Sequence, residues 1–165
     1  MGDLIFREEP TAADRSVVRA LVEGTGFFYP EEAEVAVELV EERLTKGVRS
    51  GYHFVFTERD GIMLGYACYG PIACTQASYD LYWIVVRQDL QGAGLGRALL
   101  ARAEQRIGEL GGTRVYVETS SRPLYDPTRA FYLRCGYREE ARLAEFYGPG
   151  DDKVILVRAL PPPTR

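Results

Sequence analysis

Apolar residues recur at helical spacing through the first quarter of the chain. Val17, Val18, Leu21 and Val22 form one face behind Pro10-Thr11-Ala12-Ala13-Asp14, where Thr11 reads as an N-cap and Asp14 as its acidic partner. Gly24-Thr25-Gly26 breaks this helix. Pro30-Glu31-Glu32 opens a second, with Val35, Ala36, Leu39, Val40 and Leu44 as its apolar positions and Lys46-Gly47 as its end. Ahead of both, Leu4 to Arg7 reads as a short strand. The rhythm then changes: Tyr52 to Thr57 and Ile62 to Tyr69 flank Arg59-Asp60-Gly61, a hairpin signal. Tyr79 to Val86, rich in aromatic and β-branched residues, reads as a strand buried on both faces.

Helical spacing returns from Gly94 to Leu110, with Leu95, Leu99, Ala103, Ile107 and Leu110 on one side and Gly111-Gly112 beyond the end. Arg114 to Thr119 is a further strand. Asp126, as N-cap, with Pro127 and then Gly136 fences a short helix. Tyr137 to Tyr147 and Lys153 to Ala159 close the chain as a hairpin about Gly148-Pro149-Gly150-Asp151, before a loose tail at 161–165. The order β-α-α-β-β-β-α-β-α-β-β, without repeats or an internal linker, predicts one α/β domain over residues 1–165.

Composition narrows the function. With 20 basic and 24 acidic side chains the net charge is −4, which argues against a nucleic-acid or anionic-membrane partner. Cys68, Cys74 and Cys135 are odd in number and lack a C-x-x-C pair, so they predict buried free thiols, with no disulfide framework and no metal site. The N-terminal residues carry no signal-peptide pattern and no apolar run spans a bilayer; a cytoplasmic location is expected.

The chemically informative stretch is Trp83-Ile84-Val85-Val86-Arg87-Gln88-Asp89-Leu90-Gln91-Gly92-Ala93-Gly94-Leu95-Gly96-Arg97: strand, glycine-rich turn, helix start. Bare backbone at a helix N-terminus is an anion cradle, because unpaired amides and the helix dipole attract phosphate. The dinucleotide fingerprint is excluded by Arg97, which stands where a small residue is needed, and the P-loop by the missing Gly-Lys-Ser/Thr.

Gln91-x-x-Gly94-x-Gly96 resembles the Gln/Arg-x-x-Gly-x-Gly/Ala signature of the GNAT superfamily of N-acetyltransferases. Ala130-Phe131-Tyr132-Leu133-Arg134-Cys135-Gly136-Tyr137 is similar to that family's second landmark, and the element order fits over residues 4–160. The resemblance implies a mixed, mostly antiparallel central sheet flanked by helices, in which the strands at 79–86 and 114–119 run parallel and then splay. It implies acetyl-CoA as co-substrate, with backbone groups of Ile84, Val85 and Val86 on the pantetheine arm. The amides of Gly92, Ala93, Gly94, Leu95, Gly96 and Arg97 would hold the pyrophosphate, and Gln91 would order the loop. The acceptor would be a small-molecule amine or a peptide N-terminus; a homodimer stays open, and a non-catalytic acetyl-CoA sensor is the alternative from another class.

Acetyl transfer needs a neutral amine, an oxyanion donor and a proton for the departing thiolate. The resemblance puts Tyr132 in the last role and Glu118 in that of general base, with Asp80 and Tyr82 as rivals. Many relatives place an asparagine seven residues before the helix tyrosine; Tyr125 stands there, leaving Ser120, Ser121 and Arg129 as replacements. His53 and Trp83 read as structural. In the resembling family the region of Phe27-Phe28-Tyr29 lines the acceptor pocket; plain packing accounts for these residues equally well.

Overall fold

The computed structural model describes residues 2–162; of the expected tail, 163–165 lie outside the described residues. The elements are β1 (Ile5–Arg7), α1 (Asp14–Gly24), α2 (Pro30–Lys46), β2 (His53–Arg59), β3 (Ile62–Pro71), β4 (Ser78–Val86), α3 (Leu95–Glu109), β5 (Arg114–Ser120), α4 (Asp126–Arg134), β6 (Arg138–Gly148) and β7 (Asp151–Ala159). This is the expected order. The strands form one sheet, β1-β2-β3-β4-β5-β7-β6. The β1–β2, β2–β3, β5–β7 and β6–β7 pairs are antiparallel and β4–β5 is parallel. Two compact units divide the chain, one of residues 2–70 and 83–106, the other of 71–82 and 107–162.

In the first unit, Val18, Leu21 and Val22 of α1 pack with Ala33, Ala36 and Val40 of α2 against Phe54, Phe56 and Tyr66 of the sheet. Each fully buried aliphatic side chain contributes about 1.5–3 kcal/mol. The face of α2 differs from the expected one: Val35 and Leu44 are exposed, and the buried stripe ends instead on Arg43. Arg43 is drawn in because its guanidinium reaches the Tyr52 carbonyl at 3.0 Å and Glu9 at 2.7 Å. The start of α1 also differs. Thr11 does not cap with its side chain; its amide donates to the Asp14 carboxylate at 2.6 Å, and Asp14 is buried under Arg7. Asp60 and Gly61 both take positive φ, 52° and 75°, as a two-residue hairpin turn requires.

In the second unit, Ser78–Arg114, Tyr79–Val115 and Asp80–Tyr116 are the paired residues of β4 and β5, whereas β5 pairs with β7 from Arg114 to Ser120. Alternation along β5 puts Val115, Val117 and Thr119 on the buried face, with Val154 and Leu156 of β7. Asp80, Tyr116 and Glu118 stand on the opposite face. Tyr82 is exposed, so β4 is not buried on both faces along its length, and Leu110 is exposed where α3 was expected to bury it. Asp126 does not cap α4; it opens the helix and ion-pairs with Arg129 one turn on. Of the three thiols only Cys68 is buried; Cys74 is exposed and Cys135 half-buried. Among the described residues, no helix is long and apolar enough to cross a membrane.

Candidate active site

The glycine-rich loop belongs to the first unit. At the end of β4 the Arg87 amide donates to the Leu64 carbonyl at 2.9 Å, and a single 3-10 turn, Gln88–Leu90, leads into Gln91. Gly92 and Gly94 then adopt φ of 82° and 83°. A side chain at either would meet nothing within 4 Å. The glycines therefore answer to backbone shape and not to crowding, since an L side chain in this conformation costs about 1–2 kcal/mol. The helical ladder of α3 starts with the Ala98 amide on the Gly94 carbonyl at 3.1 Å, so the amides of Leu95, Gly96 and Arg97 precede the first closed turn. These donors sit at the positive end of the helix dipole.

Two arginines flank the loop. Arg87 is paired with Asp89 at 2.7 Å, whereas Arg97 is exposed and has no carboxylate partner among the described residues. Within β4, the Val85 carbonyl lies against Gly65, where an added Cβ would stand 2.7 Å from it. Strand alternation turns the polar groups of Ile84 and Val86 to the other edge of β4. The remaining aromatic candidates are packed: Phe28 meets Trp83 edge-on at 5.0 Å and Phe27 at 5.4 Å, while Tyr29 is exposed at the start of α2. His53 stacks on Tyr69 at 5.4 Å, and burial followed by Arg43 and Arg106 lowers its pKa.

The proton-transfer candidates belong to the second unit. Glu118, 48% exposed, is ion-paired at 2.5 Å with Lys153, which is only 13% exposed and rests its ammonium 4.2 Å from the centre of the Phe146 ring. Asp80 is half-buried and has no hydrogen-bond partner among the described residues. Burial first, then the charge of Glu118, raise its pKa, and Lys153 opposes them. Tyr132 is buried between Phe131 and Tyr137, with ring centroids at 5.2 and 5.3 Å, and burial followed by Cys135 raises its hydroxyl above the ordinary tyrosine value. Glu118 and Asp80 are thus brought together. Tyr132 has ring contacts with Phe131 of α4 and with Tyr137.

Ser120, Ser121 and Arg129 are all engaged in shaping the segment between β5 and α4. Ser120 donates to Asp151, Ser121 accepts the Asp152 amide at 2.8 Å, and Arg129 holds the carbonyls of Ser120 and Arg122. Lys153, Tyr147 and Asp151 are site neighbours that the sequence reading missed. Burial raises the Tyr147 pKa, as do Glu118, Asp151 and Tyr125. The β5–β7 pairing, which sets Ser120 opposite Lys153, and the β6–β7 pairing that adds Tyr147 bring them in, and no local pattern encodes the first of these.

A mixed sheet with the parallel pair β4–β5, and a glycine loop that opens α3, define a class. The chain belongs to the Acetyltransferase (GNAT) family, whose pattern it matches over residues 18–137, and its class is N-acetyltransferase. It is 49% identical to a solved GNAT-family protein of Desulfovibrio desulfuricans, with a TM-score of 0.95 over 96% of this chain and 100% of that one. An uncharacterised N-acetyltransferase of Methanocaldococcus jannaschii is 27% identical over 66% of this chain and 67% of its own length. An aminoglycoside 6'-N-acetyltransferase, solved with coenzyme A, shares the fold at 18% identity and a TM-score of 0.79, over 98% of this chain and 99% of its own.

Proposed function

We propose that this chain is a cytoplasmic enzyme that moves the acetyl group of acetyl-CoA to a primary amine of a small molecule. The observation that carries this reading is the loop at Gly92–Gly94. Two left-handed glycines there have open space where a side chain would stand, and the amides of Leu95, Gly96 and Arg97 precede the first closed turn of α3, with the uncommitted Arg97 beside them. Such a cradle fits a pyrophosphate. In the proposed reaction Gln91 orders the loop, and the amides from Gly92 to Arg97 hold the pyrophosphate. The backbone groups of Ile84 and Val86, on the edge of β4 away from Gly65, align the pantetheine arm, and Val85, whose carbonyl lies against Gly65, does not contribute its own.

A base, Glu118 or its neighbour Asp80, takes the proton of the entering ammonium, and the neutral nitrogen attacks the thioester carbonyl. The C–S bond breaks as the amide forms, and the thiolate takes a proton from Tyr132. That hydroxyl carries its proton at neutral pH, as an ordinary tyrosine does, and burial raises its pKa further. The test is release of free CoA thiol from acetyl-CoA in the presence of a panel of small primary amines and short peptides with free N-termini. Turnover with small amines is expected. Turnover with peptides alone would replace the acceptor class, and no turnover with any member would contradict the reading.

A further inference from the structure

The ammonium of Lys153 sits where a cation would be most welcome. It lies 2.5 Å from a Glu118 carboxylate oxygen and over the face of Phe146, and the side chain is almost wholly withdrawn from water. A lysine that loses its hydration must recover the energy from close partners, so Lys153 is held by these two contacts and in turn holds Glu118. The register explains the meeting. Glu118 faces Ile155 and Ser120 faces Lys153, so Lys153 and Glu118 project from the same face, one diagonal step apart. Asp80 projects from that face as well, opposite Tyr116, and has no partner of its own among the described residues.

We propose that Lys153 is a positioning residue of the transfer site: clamped between the Glu118 carboxylate and the Phe146 ring, it fixes Glu118 and leaves Asp80 as the uncommitted carboxylate of the pair. This rests on the reading that one of these carboxylates relieves the acceptor of its proton. Two carboxylates so close would otherwise repel, and the cation between β5 and β6 limits that repulsion. The charged and titratable groups around the pair are Tyr82 on β4, Tyr116 and Glu118 on β5, Lys153 and Asp151 on β7, Tyr147 on β6, and Tyr125 ahead of α4. Among them Lys153 is the only one that lowers the pKa of Asp80.

The sign follows directly. Without the cation, ionised Asp80 loses an attraction and feels Glu118 unscreened, so its titration must move to higher pH. The experiment is carboxyl carbon-13 NMR of Asp80 and Glu118 against pH, in the full chain as wild type, Lys153→Met and Lys153→Arg, each with a melting curve. The expected result is an Asp80 midpoint displaced upward in Lys153→Met and returned towards the wild-type position in Lys153→Arg. An Asp80 midpoint that is the same in all three proteins overturns the proposal. Should Lys153→Met not fold, Phe146→Leu keeps the lysine but removes the ring that seats it; there the two carboxyl resonances must change, and unchanged ones overturn the proposal too. Kinetics of Asp80→Asn and Glu118→Gln test the underlying reading separately: if both keep the acid limb of the wild-type rate profile, neither carboxylate is the base, whatever the NMR titrations show.

Discussion

Tyr132 and Glu118 are both ionisable, yet the fold surrounds them in opposite ways. The phenol is enclosed by two aromatic rings, and its pKa is raised; the carboxylate is half in water and tied to a lysine. A phenol carries its proton at neutral pH, the form a leaving thiolate needs, and burial does not change that form. Tyr132→Phe keeps the ring and its packing. Steady-state kinetics should show kcat lowered by about a hundredfold, with acetyl-CoA affinity and the melting temperature close to wild type. Full retention of kcat would make Tyr132 a packing residue. That Tyr132 lies on a short helix was legible from Asp126-Pro127 and Gly136, which fence it. The Lys153 partner of Glu118 was not, because 35 residues of chain separate the two and only strand pairing joins them.

At the scale of elements, the order and bounds were legible, since each begins or ends on a residue with one strong local preference. Asp60-Gly61 can turn a hairpin, Pro30 can open a helix, and Gly136 can accept a φ of 90°. Faces were less legible. The buried stripe of α2 is shifted from Val35 and Leu44 towards Ala33 and Arg43, because small residues allow close approach and an arginine with two oxygen partners can be buried. Thr11 and Asp126 were misread because each finds another partner: Thr11 donates its amide and hydroxyl to the Asp14 carboxylate, and Asp126 ion-pairs with Arg129. The join between α3 and β5 gives a direct test. A Cβ on Gly112 would stand 2.3 Å from Cγ2 of Ile107 and 2.8 Å from the Tyr79 ring. Both neighbours are buried, so Gly112→Ala should destabilise the protein by about 1–3 kcal/mol in denaturant melts. An unchanged midpoint would mean that this corner is loosely packed.

For the whole molecule, a net charge of −4 and a polyanionic co-substrate look mismatched. In the proposed reading the loop resolves this locally: oriented amides and Arg97 would supply the attraction near the loop, where their field outweighs the diffuse charge of a surface screened by salt. The strand-loop-helix run carried this in the sequence because all its parts are contiguous. The parallel β4–β5 pair was legible only through the family resemblance, and the insertion of β7 between β5 and β6 was not read from the sequence, as no single segment records its non-neighbour. The central claim is that the Gly92–Arg97 loop binds the pyrophosphate of acetyl-CoA. Calorimetric titration of acetyl-CoA into the wild type and into Gly94→Glu tests it most directly, with the fold of the variant checked by circular dichroism. The wild type should bind, and the variant, which brings a carboxylate and a strained backbone into the cradle, should bind at least about tenfold more weakly, a loss of about 1.4 kcal/mol. Equal affinity in the two proteins, or no binding by the wild type, would contradict the assignment.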